Sequence, residues 1–99
     1  MSLDAQLSYL TVDLGILRCT EAQETYLRGI LTQAADFIAT RGIVLQPDCD
    51  ADDMLAAMVA GWMYKARANS EEKQLPTYLR RMLNSKLMQQ KAGGAQNDL

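Results

Sequence analysis

Apolar residues recur every three or four positions along most of this chain, which is the spacing of one face of an α-helix. This recurrence predicts four helices, over residues 3–14, 20–41, 50–68 and 76–91. No segment alternates apolar and polar side chains over several positions, as a half-buried strand would. The sequence therefore predicts an all-α fold, built as one small domain of four helices.

Residues at the ends of the predicted helices have the chemistry of helix termini. Thr20 and Gln23 have the spacing of a capping box, in which each side chain bonds the backbone N–H of the other residue. Gly15 and Gly42 follow the first two helices, where glycine commonly ends a helix. Pro76 opens the fourth helix, where its missing N–H leaves no helical hydrogen bond unmade. These signals support the predicted boundaries.

The segments outside the helices have a different composition. Residues 43–49 contain a proline and predict a connecting loop, in which we expect Val44 or Leu45 to face inward. Residues 92–99 carry two glycines and no apolar period, which predicts a disordered tail. We therefore expect a helical domain over residues 1–91 and a tail over residues 92–99.

The third helix is apolar on nearly all sides, and such a helix is normally covered all round. Its first face consists of Leu55, Met58, Val59, Trp62 and Ala66. A strip of mostly small residues lies opposite, formed by Ala57, Ala60, Gly61 and Tyr64. Either the other helices wrap this helix as the centre of the domain, or a neighbouring copy or partner packs on the strip. We favour the first interpretation.

Composition argues against enzyme chemistry. The 99 residues include no histidine, the commonest acid–base group at neutral pH and the commonest metal ligand. The two cysteines lack CxxC spacing, and the acidic segment PDCDADD lacks the glycine and glutamate of a calcium loop. We expect no catalytic residue, cofactor or metal.

The longest apolar run, residues 54–64, is shorter than the roughly 20 residues of a membrane span, and no export signal is evident. These features predict a cytoplasmic protein.

Charge is divided along the sequence. Residues 1–64 hold nine acids and three bases, whereas residues 65–91 hold seven bases and two acids. The basic part has two interpretations. It is a surface that binds nucleic acid or an acidic partner, or it is a solvated face with local ion pairs. The net charge of −2 argues against tight non-specific binding to DNA.

The fourth helix has a stripe of apolar residues that we expect to be buried. It is formed by Leu79, Met82, Leu83 and Leu87.

Three stretches resemble the small α-helical head-tail connector proteins of tailed phages and prophages, also called adaptor or head-completion proteins. They are LTVDLGI at residues 10–16, AGWMYKAR at 60–67 and LPTYLRRMLNSKL at 75–87. The third helix is similar to the apolar helix of that family, in which an aromatic pair precedes basic residues. With the capped second helix, the similarity spans about residues 3–91.

The resemblance implies a structural protein without enzymatic activity that oligomerises into a ring below the portal during virion assembly. Its expected partners are further copies of itself and the portal or other head-tail proteins, with DNA passing through the channel. Its expected location is the bacterial cytoplasm during assembly and then the virion. The candidate interface residues are Trp62, Tyr64, Lys65, Arg67, Tyr78, Arg80, Arg81 and Lys86.

Two other functions fit the pattern of helices. One is a small DNA-binding or regulatory module, although the predicted connection between the second and third helices is longer than the turn of a helix-turn-helix. The other is a dimeric helical protein that binds a different partner.

Overall fold

The computed structural model describes residues 3–46, 49–68 and 74–97 of the chain. It contains four helices: α1 (Leu3–Leu14), α2 (Glu21–Thr40), α3 (Asp50–Ala68) and α4 (Thr77–Asn97). No strand occurs in these three ranges. The predicted all-α domain of four helices is confirmed.

The predicted helix termini are also present. The Thr20 hydroxyl accepts a hydrogen bond from the Gln23 N–H at 3.1 Å, and the Gln23 side chain accepts one from the Thr20 N–H at 2.9 Å. Gly15 and Gly42 have φ of 73° and 85°, in the left-handed region that favours glycine. The Gly15 N–H bonds the Val12 carbonyl at 3.1 Å, which satisfies a carbonyl at the end of α1.

Helix α4 is longer than the sequence predicts. It begins after Pro76, whose carbonyl accepts from the Arg80 N–H at 2.9 Å, and it continues through Asn97. The predicted end at residue 91 is therefore wrong, and residues 92–97, predicted as part of a disordered tail, have helical backbone. Once a helix is nucleated, each further residue adds one backbone hydrogen bond, so a helix can extend past its last packed side chain. Residues 98 and 99 of the predicted tail lie outside the described residues.

Helix α3 is the centre of the domain, with α1 and α2 packed on it and on each other. The small residues Ala57, Ala60 and Gly61 are buried. A Cβ atom on Gly61 would lie 2.8 Å from the Asp13 carboxylate and 3.7 Å from the Leu10 side chain, so α1 runs directly over the strip. The same chain therefore covers it, as the favoured interpretation predicts.

The core is formed by leucine, isoleucine, valine and alanine side chains from all four helices. Its buried members are Leu10, Leu27, Ile30, Leu31, Ala34, Ile38, Ile43, Leu55, Ala56, Ala57, Val59, Ala60, Leu79 and Leu83. Met58, Trp62 and Ala66, predicted for the core face of α3, are only half-buried, and Met82 of the expected α4 stripe is exposed. One side of α3 therefore stays partly open.

Residues 43–45, in the connection between α2 and α3, alternate their side chains between core and solvent. Ile43 is buried, Val44 is exposed and Leu45 packs half-buried against the core. The prediction that Val44 or Leu45 faces inward is confirmed, and Leu45 is the residue that does so. In extended backbone, successive side chains point to opposite sides, so burial of Ile43 directs Val44 outward.

Candidate interaction surface

The outer side of α4 is basic. The segment from Thr77 to Asn97 contains no Asp or Glu. Arg80, Arg81 and Lys91 are exposed, and their side chains make no hydrogen bond or ion pair with any other residue that the structure describes. At 1.5 Å per residue, Arg80 and Lys91 lie about 16 Å apart along the helix. We call these three residues the basic face.

The other predicted interface cations have partners within the chain. Lys86 Nζ lies 2.7 Å from the Asp52 carboxylate, and Lys65 Nζ lies 4.0 Å from the Asp13 carboxylate. Arg67 donates hydrogen bonds to the Tyr26 hydroxyl, at 3.3 Å, and to Gln33. Asp52 and Asp13 thus offset the charges of Lys86 and Lys65, whereas the partners of Arg67 are neutral and hold its side chain on α2. On α4, the unpaired positive charge lies on the basic face.

Asp52 is the most deeply buried charged group in contact with α4. Its carboxylate accepts from Lys86 and, at 2.7 Å, from the Gln46 N–H. Burial is the largest influence on its pKa and raises it, but the Gln46 N–H, Lys86 and the Cys49 side chain together hold the pKa below its ordinary value. Asp52 is therefore ionised at neutral pH and joins α4 to the start of α3. The sequence by itself does not reveal this ion pair, because Lys86 is far from Asp52 along the chain.

Further contacts fix the orientation of α4. The Val44 N–H donates to the Gln90 side chain at 2.9 Å, and the Gln90 amide donates back to the Val44 carbonyl. Arg41 donates to Asn84 at 3.3 Å. With Leu79 and Leu83 buried on the inner side, these contacts hold the basic face toward solvent.

The predicted aromatic anchors differ in exposure. Trp62 is half-buried, with its ring 5.8 Å from that of Phe37 and its indole N–H donating to the Gln74 carbonyl at 3.1 Å. Tyr64 is half-buried against Tyr26, with ring centres 6.3 Å apart. Tyr78, in contrast, is exposed. Of the three, Tyr78 is the most available to a partner.

A second exposed surface lies where α1, α3 and α4 meet. Val12 and Met54 line one groove between α1 and α3, Met58 and Tyr78 line the next, and Met82 lines a third between α3 and α4. We call these five residues the methionine face. The spacing of residues in the sequence does not reveal this face, because Met58 and Met82 fit helical stripes expected to be buried. Only the path of α4 leaves them open.

Exposed acids lie on other elements. Glu21 and Asp36 on α2 and Asp50 at the start of α3 are exposed, without a side-chain hydrogen bond or ion pair to another described residue. Asp4 and Glu24 pair with Arg28, at 2.6 and 3.0 Å. Unpaired negative charge and the basic face therefore occupy different helices.

Comparisons with known proteins add no assignment. A scan against protein-family models, a search of curated proteins and a search of solved structures each found no match. Across the residues that the structure describes, no helix is long and apolar enough to span a bilayer. Within the same residues, no group of three or more His, Cys, Asp or Glu side chains is placed to hold a metal ion.

Proposed function

We propose that this chain is a structural phage or prophage protein, a head-tail connector that oligomerises into a ring below the portal during virion assembly. The proposal rests on the resemblance of residues 10–16, 60–67 and 75–87 to that family. The observation that carries it on the structural side is the separation of the unpaired basic face on α4 from the exposed acids on α2. A repeating head-to-tail contact needs two different complementary patches on each subunit.

In this proposal, the basic face of one copy meets the acidic side of the next, which carries Glu21 and Asp36. Each exposed ion pair contributes only about 0.2–1 kcal/mol, so charge sets the orientation and apolar contacts supply most of the affinity. Tyr78 lies near the start of the same helix and is the exposed aromatic side chain available for such a contact. Further partners are the portal or other head-tail proteins, with DNA in the channel of the ring. The protein acts without a cofactor, in the bacterial cytoplasm during assembly and in the virion afterwards.

The test is reversal of two charges on the basic face, Arg80→Glu with Arg81→Glu. We expect loss of ring-sized particles in sedimentation velocity and electron microscopy at high protein concentration, with unchanged helicity by circular dichroism. Arg81→Glu and Arg18→Glu form a matched pair of single variants, since both arginines are exposed without side-chain partners in the described part of the chain and Arg18 lies outside α4. Only Arg81→Glu should weaken assembly. Unchanged assembly of the double variant, or a wild-type chain that stays monomeric, contradicts the proposal.

A small DNA-binding or regulatory module is the second candidate, and the unpaired cations of the basic face favour it. In a helix-turn-helix arrangement, however, α3 would be the recognition helix, and α3 forms the buried centre of the domain. A gel shift with duplex DNA at low and moderate salt separates the two functions, because a DNA-binding module retards the duplex at protein concentrations at which no ring-sized particle forms. A dimeric helical interaction protein is the third candidate, and it would sediment as a dimer.

A further inference from the structure

The methionine face forms an open trough with walls from two helices. Met54, Met58 and Trp62 follow one another at four-residue spacing along α3 and form its floor. Val12 on α1 lies on one side, and Tyr78 lies on the other, at the start of α4. The two adjoining grooves have volumes of about 530 and 440 Å³, and Met58 lines both. A groove of this kind, with one helix at its base and a helix on each side, can bind the apolar face of an additional helix.

The exposed apolar area of this face is large for so small a domain. Val12 is 81% exposed, Tyr78 56%, Met54 47% and Met82 40%. If a fully exposed large side chain presents roughly 150–200 Å², these four residues leave on the order of 400 Å² of their surface in water. Contiguous apolar patches of this size on monomers often mark binding sites. Three of the five residues are methionines, whose flexible thioether side chains adapt to an incoming apolar surface.

The charges around the trough favour an acidic occupant. Arg81 lines the groove between α3 and α4, and its side chain makes no ion pair with any described residue. At the other end, Lys65 and Asp13 face each other at 4.0 Å and largely offset one another. Asp52 and Lys86 line the same groove as Arg81 and pair with each other at 2.7 Å. Among the described charged residues that line these grooves, Arg81 is therefore the one without a compensating charge.

A second copy of this chain offers no matching helix among the described residues. The large hydrophobic side chains exposed outside the face lie singly on four different segments, as Leu17, Tyr26, Val44 and Met88. The outer side of α4 is also basic and would be repelled by Arg81. Among the described residues outside the face, no helix of a second copy combines an exposed apolar stripe with acidic residues, so we assign the occupant of the face to a different protein.

We propose that the methionine face binds an amphipathic helix of another protein, with apolar residues at four-residue spacing and acidic residues along the flank that faces α4. The side chains of Met54 and Met58 receive successive apolar residues of that helix, and Arg81 faces its acids. This inference goes beyond the ring contact and does not depend on it.

The test uses designed helical peptides and the full-length chain. The probe is a fluorescein-labelled peptide of about 18 residues, or five helical turns, with leucines on one face and glutamates on the other. Two matched peptides replace the glutamates by lysine or the leucines by serine. Fluorescence anisotropy should show binding of the Leu/Glu peptide, with affinity at least about tenfold lower for the Leu/Lys peptide and no binding of the Leu/Ser peptide. Binding should also change the emission of Trp62, the single tryptophan, which lines the groove beside Met58.

Two substitutions on the face test its location. Met54→Glu should weaken binding of the Leu/Glu peptide by about tenfold or more, the loss expected for an apolar anchor at the centre of an interface. Val12→Glu, at a more exposed position, should weaken it in the same direction and guards against a folding defect at Met54. The matched control is Met88→Glu, because Met88 is more exposed than Met54 and is not part of the methionine face. It should bind the peptide as the wild type does.

Three results overturn the inference. In the first, the wild type does not bind the Leu/Glu peptide. In the second, Met54→Glu and Met88→Glu lose peptide binding equally. In the third, the wild type self-associates but does not bind the peptide, and Met54→Glu abolishes the self-association. The last result would assign the face to a second copy. The ring contact is tested separately, by sedimentation of the Arg80→Glu/Arg81→Glu variant without peptide, so either proposal can fail while the other holds.

Discussion

Replacement of Lys86 by methionine tests whether α4 is held on the domain by its ion pair with Asp52. The Asp52 side chain is 2% exposed and the Lys86 side chain 23%, and their charged atoms lie 2.7 Å apart. Lys86→Met keeps most of the aliphatic volume and removes the ammonium. The Asp52 carboxylate then stays buried with the Gln46 N–H as its remaining strong partner, 2.7 Å away.

The expected cost follows from that geometry. Removal of one partner from a fully buried ion pair costs about 3–5 kcal/mol. Because Lys86 keeps contact with water and Gln46 continues to bond Asp52, we expect the free energy of unfolding to fall by about 2 kcal/mol at pH 7. For a domain of this size, that loss corresponds to a melting temperature lower by about 8–16 °C.

The effect should depend on pH with a defined sign. The pKa of Asp52 in the folded wild type lies below its ordinary value of 3.8, so the stability it contributes is present above that value and is lost as the pH falls through the lower, folded pKa. In Lys86→Met, burial is opposed less and the pKa of Asp52 rises. The difference in stability between wild type and variant should therefore shrink as the pH is lowered from 7 toward 3, because a growing fraction of Asp52 is protonated and the ion pair with Lys86 is lost.

The assay is urea unfolding at pH 7 and pH 3, followed by circular dichroism at 222 nm and by Trp62 fluorescence. The matched control is Lys91→Met, because Lys91 is an exposed lysine on the same helix with no side-chain partner in the described ranges. Its stability should change by less than about 0.5 kcal/mol. Equal effects of the two substitutions at pH 7, or an effect of Lys86→Met that is the same at both pH values, would refute the reasoning.

Four further substitutions give expected changes in the free energy of unfolding, measured by the same urea titration. Gly29→Ala should raise the free energy of unfolding by about 0.5–1 kcal/mol, because Gly29 lies on the exposed side of α2 and an added Cβ meets nothing within 4 Å. Gly42→Ala should lower the free energy of unfolding by about 1 kcal/mol, because the φ of Gly42 is +85°. Stabilisation in both would contradict the assigned backbone geometry. Thr20→Ala should cost about 1 kcal/mol through loss of the capping box, and no loss would mean that the cap does not form in solution. Leu83→Ala should cost about 2–5 kcal/mol as a buried truncation; a loss below 1 kcal/mol would mean that α4 is not packed on the core.

The positions of the helices follow from local signals in the sequence. Thr20 and Gln23 cap α2 through bonds between residues three apart, and Gly15 ends α1 by adopting a backbone conformation that glycine favours. The central position of α3 also follows, because a helix apolar on all sides must be covered. The end of α4 does not follow, since the glycines at 93 and 94 weaken a helix by roughly 1 kcal/mol each without forcing it to stop.

The candidate surfaces are less predictable, because exposure depends on which neighbour covers a side chain. Helical spacing groups Met82 with Leu83 on one predicted stripe, yet the packing of α4 buries Leu83 and leaves Met82 beside an open groove. The same applies to charge. Lys86 and Arg81 are both cations of one helix, but only Lys86 lies within reach of Asp52.

Sequence alone thus determined the number, type and approximate limits of the helices, and the division of charge between the N-terminal and C-terminal parts of the chain. These properties depend on residues a few positions apart, whose spacing fixes hydrogen bonding and helical faces. Tertiary structure alone decided that α1 covers Gly61, that Asp52 neutralises Lys86, and that Met54 and Met58 stay partly open. Those outcomes depend on how helices distant in sequence pack, and the packing selects which of several apolar or charged faces meets a partner within the chain.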